Sequence, residues 1–270
     1  MTAKSRSDRA GCDSNEADSA CGTCPRCCQE PPGRCQESAP VQAHSGDAPR
    51  EPYYQDAAVQ LWHADVRDFL GHPNHLTLDA HVLLTDPPYG IAYNSGSRRD
   101  TLAASIKGDE DTSLRDAVLA WWGDLPALVF GTWRIPRPVG THTRLVWDTK
   151  GALGMGDLSV PWKPSDQEVY VLGKGFVGRR DSNVLTCAPV QSMARNGRHH
   201  PHEKPVDLLV RLLDKCPPGV ILDPFAGSGS TLVAAKMVGR QAIGIEVEEA
   251  YCRIAVERLA QDSLPFGGVA

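Results

Sequence analysis

The chain has 270 residues, 41% of them hydrophobic, which is enough to build one sizeable core. Its net charge of −5 excludes a uniformly basic nucleic-acid binder, and no run approaches the ~20 apolar residues that a membrane span needs. No apolar stretch of signal-peptide type opens the sequence, so the expected setting is the cytoplasm, where cysteines are normally reduced.

Residues 1–52 form the first compositional block. They are rich in Ser, Asp, Glu, Gly and Pro and carry almost no large apolar side chains, so they read as a disordered tail. Six of the nine cysteines fall here: Cys12, Cys21, Cys24, Cys27, Cys28 and Cys35. Cys21, Cys24 and Cys27 have CxxC spacing, which can share a zinc ion. A clean second CxxC pair is missing, so an unstructured tail without metal is the expectation.

Residues 53–263 alternate between strand and helix patterns, and 264–270 form a second short tail. Val59–Trp62 reads as a strand, and Asp65–Leu70 as a short helix with Asp65 at its N-cap. Residues 80–85 are apolar and read as a buried strand. Residues 91–112 are polar, carry Arg98 and Arg99, and read as a loop near substrate. A helix is expected from Leu114 to about Gly123, capped by Thr112 or Ser113. Ala127–Phe130, Thr143–Trp147 and Glu168–Leu172 read as strands. Val206–Lys215 is an amphipathic helix with Pro205 at its first turn. Val220–Asp223 is a strand, 231–238 a helix ended by Gly239, Gln241–Glu246 a strand, and Ala250–Ala260 the last helix. Such alternation predicts an α/β fold: a Rossmann-like, doubly wound, parallel-dominated sheet with helices on both faces.

The chemistry concentrates at two strand ends. Asp86-Pro87-Pro88-Tyr89-Gly90 follows the buried run that ends at Thr85. The prolines stop the strand abruptly, leaving a carboxylate, two rigid carbonyls and an aromatic ring at its end. Those groups suit a flat heterocycle with an exocyclic amino group. Two acceptors can take its N–H bonds while the ring stacks on its face. The amino nitrogen's lone pair, delocalised into the heterocycle, then localises for attack on an electrophile held in line.

The second strand end is Asp223-Pro224-Phe225-Ala226-Gly227-Ser228-Gly229, a glycine turn between a strand and a helix start. Glycines allow close backbone approach to a ligand, and the helix start presents free N–H groups. Glu246 ends the next strand about 20 residues on, where an acid binds ribose hydroxyls in nucleotide-type folds. The spacing is not GxGxxG and no phosphate-holding Lys follows, so neither NAD nor ATP is favoured.

Together these pieces resemble the DNA amino-methyltransferases that use S-adenosylmethionine. Asp86-Pro87-Pro88-Tyr89 is similar to that family's catalytic motif, and Phe225-Ala226-Gly227-Ser228-Gly229 to its cofactor motif. His200-Pro201-His202-Glu203-Lys204-Pro205 resembles its HPxxKP segment. Leu61-Trp62-His63-Ala64-Asp65 resembles the strand whose terminal acid contacts the cofactor's adenine, with Ala64 where the family usually has Gly. The catalytic motif precedes the cofactor motif, as in the circularly permuted beta group. The resemblance covers roughly residues 56–260 and implies a catalytic set of Asp86, Pro87, Pro88 and Tyr89. It implies cofactor contacts from Asp65, Lys204, Pro205, Asp223, Pro224, Phe225, Ala226, Gly227, Ser228, Gly229 and Glu246. The implied partner is double-stranded DNA, with the target base flipped out of the helix. A cognate restriction endonuclease is a further conceivable partner, beside a solitary role.

In the family, Asp at the first motif position usually accompanies adenine N6 methylation, so adenine is expected and cytosine N4 is the alternative. An RNA or protein methyltransferase and a non-catalytic DNA-binding module are the more distant alternatives. Cys216 precedes Pro217 rather than following a proline, so it reads as structural and not as a cytosine-C5 nucleophile. Lys174 to Lys204 is locally basic, and residues 176–199 are the candidate target-recognition segment. Arg179 and Arg180 there, with Arg98 and Arg99, are the expected phosphate contacts. A solvated loop is the plain alternative for this stretch.

Overall fold

The computed structural model describes residues 51–70, 78–90, 111–151, 158–190 and 203–261, all within one compact unit, residues 40–270. Arg98, Arg99 and the N-terminal cysteines lie outside the described residues. In chain order the elements are β1 (Tyr54–Gln55), β2 (Val59–His63), α1 (Arg67–Leu70), β3 (Val82–Thr85), α2 (Ser113–Trp122), β4 (Ala127–Gly131), β5 (Thr143–Asp148), β6 (Asp166–Leu172), β7 (Val184–Thr186), α3 (Val206–Leu213), β8 (Ile221–Asp223), α4 (Ser230–Met237), β9 (Ala242–Glu246) and α5 (Glu249–Gln261).

The strands form one sheet in the order β1-β2-β9-β8-β3-β4-β6-β5-β7. From β2 to β4 every neighbouring pair is parallel. β6 runs against both β4 and β5, β1 runs against β2, and β7 is parallel to β5. The parallel-dominated expectation therefore holds for the half that carries the two motif turns. β1 and β7 have no counterpart among the expected strands, being edge strands of two and three residues.

Residue alternation explains why the central strands read as continuous apolar runs. Val82, Leu84, Ile221 and Ala242 pack into one core with α3, α4 and α5. Leu83, Leu222, Ile243 and Ile245 pack into a second core with Val66 and Phe69 near α1 and Val118 and Trp122 of α2. Both faces are covered, so successive residues must all be apolar. α3 is strongly amphipathic, burying Leu208, Leu209, Leu212 and Leu213. Among the described residues no helix is long and apolar enough to cross a membrane.

The winding fixes where a ligand belongs. From β8 the chain crosses by α4 to β9 on one side, and from β3 it crosses by α2 to β4 on the other. β8 and β3 are neighbours, so the order reverses between them. A crevice opens beyond the carboxyl ends of strands at such a point. Asp223 ends β8 and Asp86 follows β3 at that point.

Candidate active site

The two turns are tied together. Thr85 Oγ1 donates to Asp223 Oδ1 at 2.8 Å, and the backbone N–H of Phe225 donates to the same oxygen at 3.2 Å. Asp223 is buried, and burial raises its pKa to about 6, against hydrogen bonds from Thr231 and Thr85 that favour the carboxylate. Its role in the turn is therefore at least partly architectural.

The glycine turn continues in the same manner. The N–H of Gly227 donates to Glu246 Oε2 at 2.7 Å, and the N–H of Glu248 donates to Oε1 at 2.8 Å. Glu246 is 8% exposed, and burial lifts its pKa to about 7 despite those two bonds. Gly227 has φ +52°, and a Cβ there would meet nothing within 4 Å. The turn thus has open space over Gly227, as a ligand lying across it requires. Gly229 has φ +80°, and a Cβ there would stand 2.8 Å from the Ala255 Cβ, so glycine lets α5 pack against the start of α4.

Beside the turn, Asp65, Leu114, Pro224, Phe225, Glu246 and Val247 line a crevice. Phe225 supplies an aromatic wall, and two acids reach the crevice from β9 and the β2–α1 turn. Apolar walls with two carboxylates are an acceptor-and-wall set of the chemical kind that the nucleoside part of S-adenosylmethionine would need. Asp65 does more than the sequence suggests. It accepts from the N–H of Arg67 at 2.9 Å, as an N-cap does, and also pairs with the Arg67 guanidinium.

The catalytic turn is held differently. Lys204 Nζ donates to Asp86 Oδ2, lies 3.4 Å from the Tyr89 hydroxyl, and stands 5.0 Å from the Phe130 ring centroid. Tyr89 OH donates to Asp86 Oδ1 at 2.5 Å. Each carboxylate oxygen of Asp86 thus carries a side-chain donor. Lys204 is only 6% exposed, and Phe130 beneath it packs edge-on against buried Trp147 at 6.5 Å. The family resemblance implies Lys204 beside the cofactor; the structure puts its ammonium on Asp86. Pro205 forms the N-terminal boundary of α3 with extended φ −61° and ψ 130°.

One participant escapes a reading of the sequence. Arg258 of α5 donates to Ser228 O at 2.8 Å, Ser228 Oγ at 3.0 Å and Ser230 Oγ at 3.1 Å, and pairs with Glu203 at 3.0 Å. It fastens the segment around Glu203 to the glycine turn. The one signal pointing to it is spacing: with Tyr251, Cys252, Ala255 and Leu259 it falls on the buried stripe of α5.

Arg179 and Arg180 lie elsewhere. The Arg179 carbonyl accepts from Lys215 Nζ at 2.8 Å, and Asp181 pairs with the same ammonium at 2.7 Å. Lys215 follows the C-terminal end of α3, at the sheet end opposite Asp86. Cys216 is buried, its Sγ 3.4 Å from Leu212 O, and burial pushes its thiol up to about 12. That is the environment of a structural cysteine. Among the described residues no cluster of three His, Cys, Asp or Glu is placed to hold a metal ion.

Comparison with known proteins identifies the family. The sequence profile of the DNA methylase family matches residues 135–257. YubD of Escherichia coli (strain K12), a methylase by name, is 33% identical over 193 residues, covering 66% of this chain and 81% of YubD. The chain belongs to the DNA amino-methyltransferases that use S-adenosylmethionine. Among solved structures, the M1.HpyAVI–SAM complex matches with a TM-score of 0.54 at 19% identity, over 74% of this chain and 99% of that one. The cytosine-N4-specific PvuII DNA methyltransferase matches with a TM-score of 0.57 at 16% identity, over 78% of this chain and 90% of that one. These two likenesses speak to the fold, which is that of DNA methyltransferases.

Proposed function

We propose that this DNA amino-methyltransferase acts on adenine N6 in double-stranded DNA, with Asp86, Pro87, Pro88 and Tyr89 around the reacting amino group. The observation that carries the methyl-transfer site is the placement of Asp86 at the topological switch point, one residue past Thr85, whose hydroxyl bonds Asp223 at the start of the glycine turn; what favours adenine over cytosine is that Asp86, not Ser, opens the motif. An acceptor for a base amino group and a glycine cradle thereby share one crevice. The order of the turns along the chain supports the permuted beta-group arrangement.

The roles follow from what each group can do. When bound, S-adenosylmethionine would supply the methyl group and leave as the thioether S-adenosylhomocysteine, while the amino nitrogen gives up one proton to solvent by way of Asp86. The turn from Asp223 to Gly229 holds its amino-acid end, Glu246 takes the ribose hydroxyls, and Asp65 with Phe225 takes the adenine. Asp86 and the Pro87 carbonyl accept the two N–H bonds of the target base, which has left the duplex to reach them. Pro88 keeps the turn rigid. Tyr89 stacks on the base.

The resting contacts of Asp86 bear on this sequence of events. Tyr89 OH donates to Oδ1, the oxygen not held by Lys204. Oδ1 keeps a second lone pair for the base amino group, and the Tyr89 ring beside it covers the base. Lys204, buried behind Asp86, keeps the carboxylate oriented through Oδ2.

The test is product identification. Plasmid DNA lacking modification is incubated with the protein and S-adenosylmethionine, digested to nucleosides and analysed by mass spectrometry. N6-methyladenine is the expected product. N4-methylcytosine instead would keep the site and change the target. Absence of any methylated nucleoside would overturn the reading.

A further inference from the structure

Two tryptophans stand in solvent on the edge of the sheet that carries Asp86. Trp133 is 73% exposed and Trp162 is 78% exposed, while Trp122 and Trp147 are almost wholly buried. Trp133 follows β4, whose carboxyl end lies beside that of β3. Trp162 belongs to the connection from β5 to β6, and its base is pinned by the N–H and Oγ1 of Thr149, both donating to Ser165 O at 2.8 Å. Leu158 and Val160, also exposed, extend the apolar surface beside Trp162, and a contiguous exposed apolar patch marks an interaction surface.

Charge narrows the choice of partner. The Arg134 guanidinium lies 5.7 Å from the Trp133 ring centroid, and Lys163 is the neighbour of Trp162. From Thr132 to Glu168 the sequence has five cationic residues, Arg134, Arg137, Arg144, Lys150 and Lys163, against Asp148, Asp157, Asp166 and Glu168; Arg144 is paired with Glu168, and Arg134, Arg137, Lys150 and Lys163 are exposed, on a chain whose net charge is −5. Interfaces between protein copies deplete lysine at their cores. Aromatic rings interleaved with cations suit a nucleic acid, which offers flat faces and phosphates together.

Position gives the register. At about 4.8 Å between strands, β4, β6 and β5 lie about 5, 10 and 14 Å from β3 along the edge. At 3.4 Å per base pair that range corresponds to about two to four base pairs from a nucleotide held at Asp86. Arg179 and Arg180 are at the other end of the sheet.

We propose that the described residues after β4 and β5, 132–140, 149–151 and 158–165, form a duplex-binding rim. In it Trp133 and Trp162 pack on the nucleotides flanking the target, and Arg134, Lys150 and Lys163 take phosphates. The proposal rests on the DNA-methyltransferase reading and adds to it a surface outside residues 176–199.

The experiment uses the full chain with a fluorescein-labelled 40-base-pair random-sequence duplex, read by anisotropy at several salt concentrations. Trp133→Ala and Trp162→Ala should each weaken binding about fivefold, as removal of a large aromatic side chain packed against the duplex backbone and groove does. Arg134→Ala with Lys163→Ala should lower the slope of log K against log salt by about 0.9 for each phosphate no longer neutralised. S-adenosylmethionine affinity and the thermal midpoint should stay at wild-type values, because these side chains are exposed. Unchanged duplex affinity and slope in all variants would overturn the rim. So would a change in sedimentation mass without a change in duplex affinity, which would make the surface a contact between copies. A wild-type protein that neither binds nor methylates duplex DNA would overturn the underlying reading as well.

Discussion

The catalytic turn and the glycine turn end adjacent strands, yet they are stabilised in opposite ways. Around the glycine turn the polar groups are satisfied from within the fold. Asp223 is held by Thr85 and the N–H of Phe225, Gly227 N–H by Glu246, and Ser228 and Ser230 by Arg258. At the catalytic turn the Asp86 side chain is 24% exposed, and its carboxylate accepts from two side chains, Lys204 and Tyr89. On the proposed reading, the turn fixed by buried groups serves the cofactor, and the carboxylate held partly by the Tyr89 hydroxyl serves the substrate amino group.

The sharpest break in that comparison is Asp86→Ala. It removes the acceptor from the catalytic turn and touches no bond of the glycine turn. Losing one transition-state acceptor of this kind costs about 10² to 10³ in rate. The expected result is that loss in single-turnover methylation, with S-adenosylmethionine affinity within about twofold of wild type by calorimetry. A variant keeping more than half the activity would remove Asp86 from the chemistry.

Arg258→Met tests the other turn. The substitution keeps much of the side-chain bulk and removes the guanidinium that joins Glu203 to Ser228 and Ser230. Bonds to charged groups are worth about 1.5–3 kcal/mol each. Cofactor affinity should fall by about tenfold or more and the thermal midpoint should drop. Unchanged affinity would mean that Arg258 only packs.

The two turns are legible in the sequence to different degrees. The strands leading to Asp86, Asp223 and Glu246 are covered on both faces, so their continuous apolar runs mark them plainly. The turns themselves follow from Pro87-Pro88 and from Gly227 and Gly229. What joins the pieces is not legible. Lys204 and Asp86 are 118 positions apart, and no local pattern says that one ammonium reaches the other. Arg179 and Arg180 read as close to the site because they precede the HPxxKP segment. The reversal of β6 instead carries the chain to the far end of the sheet before it returns through β7. β1 and β7 leave no pattern because two or three residues at a sheet edge are specified by pairing and not by periodicity.

Gly229→Ala is a smaller probe of the same preorganisation. The added methyl would approach Ala255 Cβ at 2.8 Å, on a backbone at φ +80°. The left-handed conformation costs a non-glycine residue about 1–2 kcal/mol, and overpacking adds to it. The expected outcome is a stability loss of about 2 kcal/mol or more in urea unfolding, with weaker cofactor binding and an intact rate at saturating cofactor. A fully stable variant would show that α5 yields easily there.

The smallest expected effect concerns pH. Glu246 has a folded pKa raised to about 7 from 4.5 by burial, and Asp223 one raised to about 6 from 3.8. A raised carboxyl pKa means that the native state binds more protons than the unfolded state between the two values. Stability is then fully present below the unfolded pKa and falls as pH rises through the folded one. The cofactor-free protein should therefore lose stability from about pH 4 to pH 7, with Asp223 dominating the lower part and Glu246 the upper. Glu246→Gln removes only the upper part. It also leaves one amide hydrogen-bond donor facing the Gly227 or Glu248 N–H, so it should lower stability at pH 5, where wild-type Glu246 is mostly protonated. The decisive quantity is the slope of unfolding free energy between pH 6 and 7.5, which should flatten in the variant. An unaltered slope would mean that the two backbone N–H donors hold Glu246 ionised in spite of its burial, making the glycine turn a fixed anion from the outset.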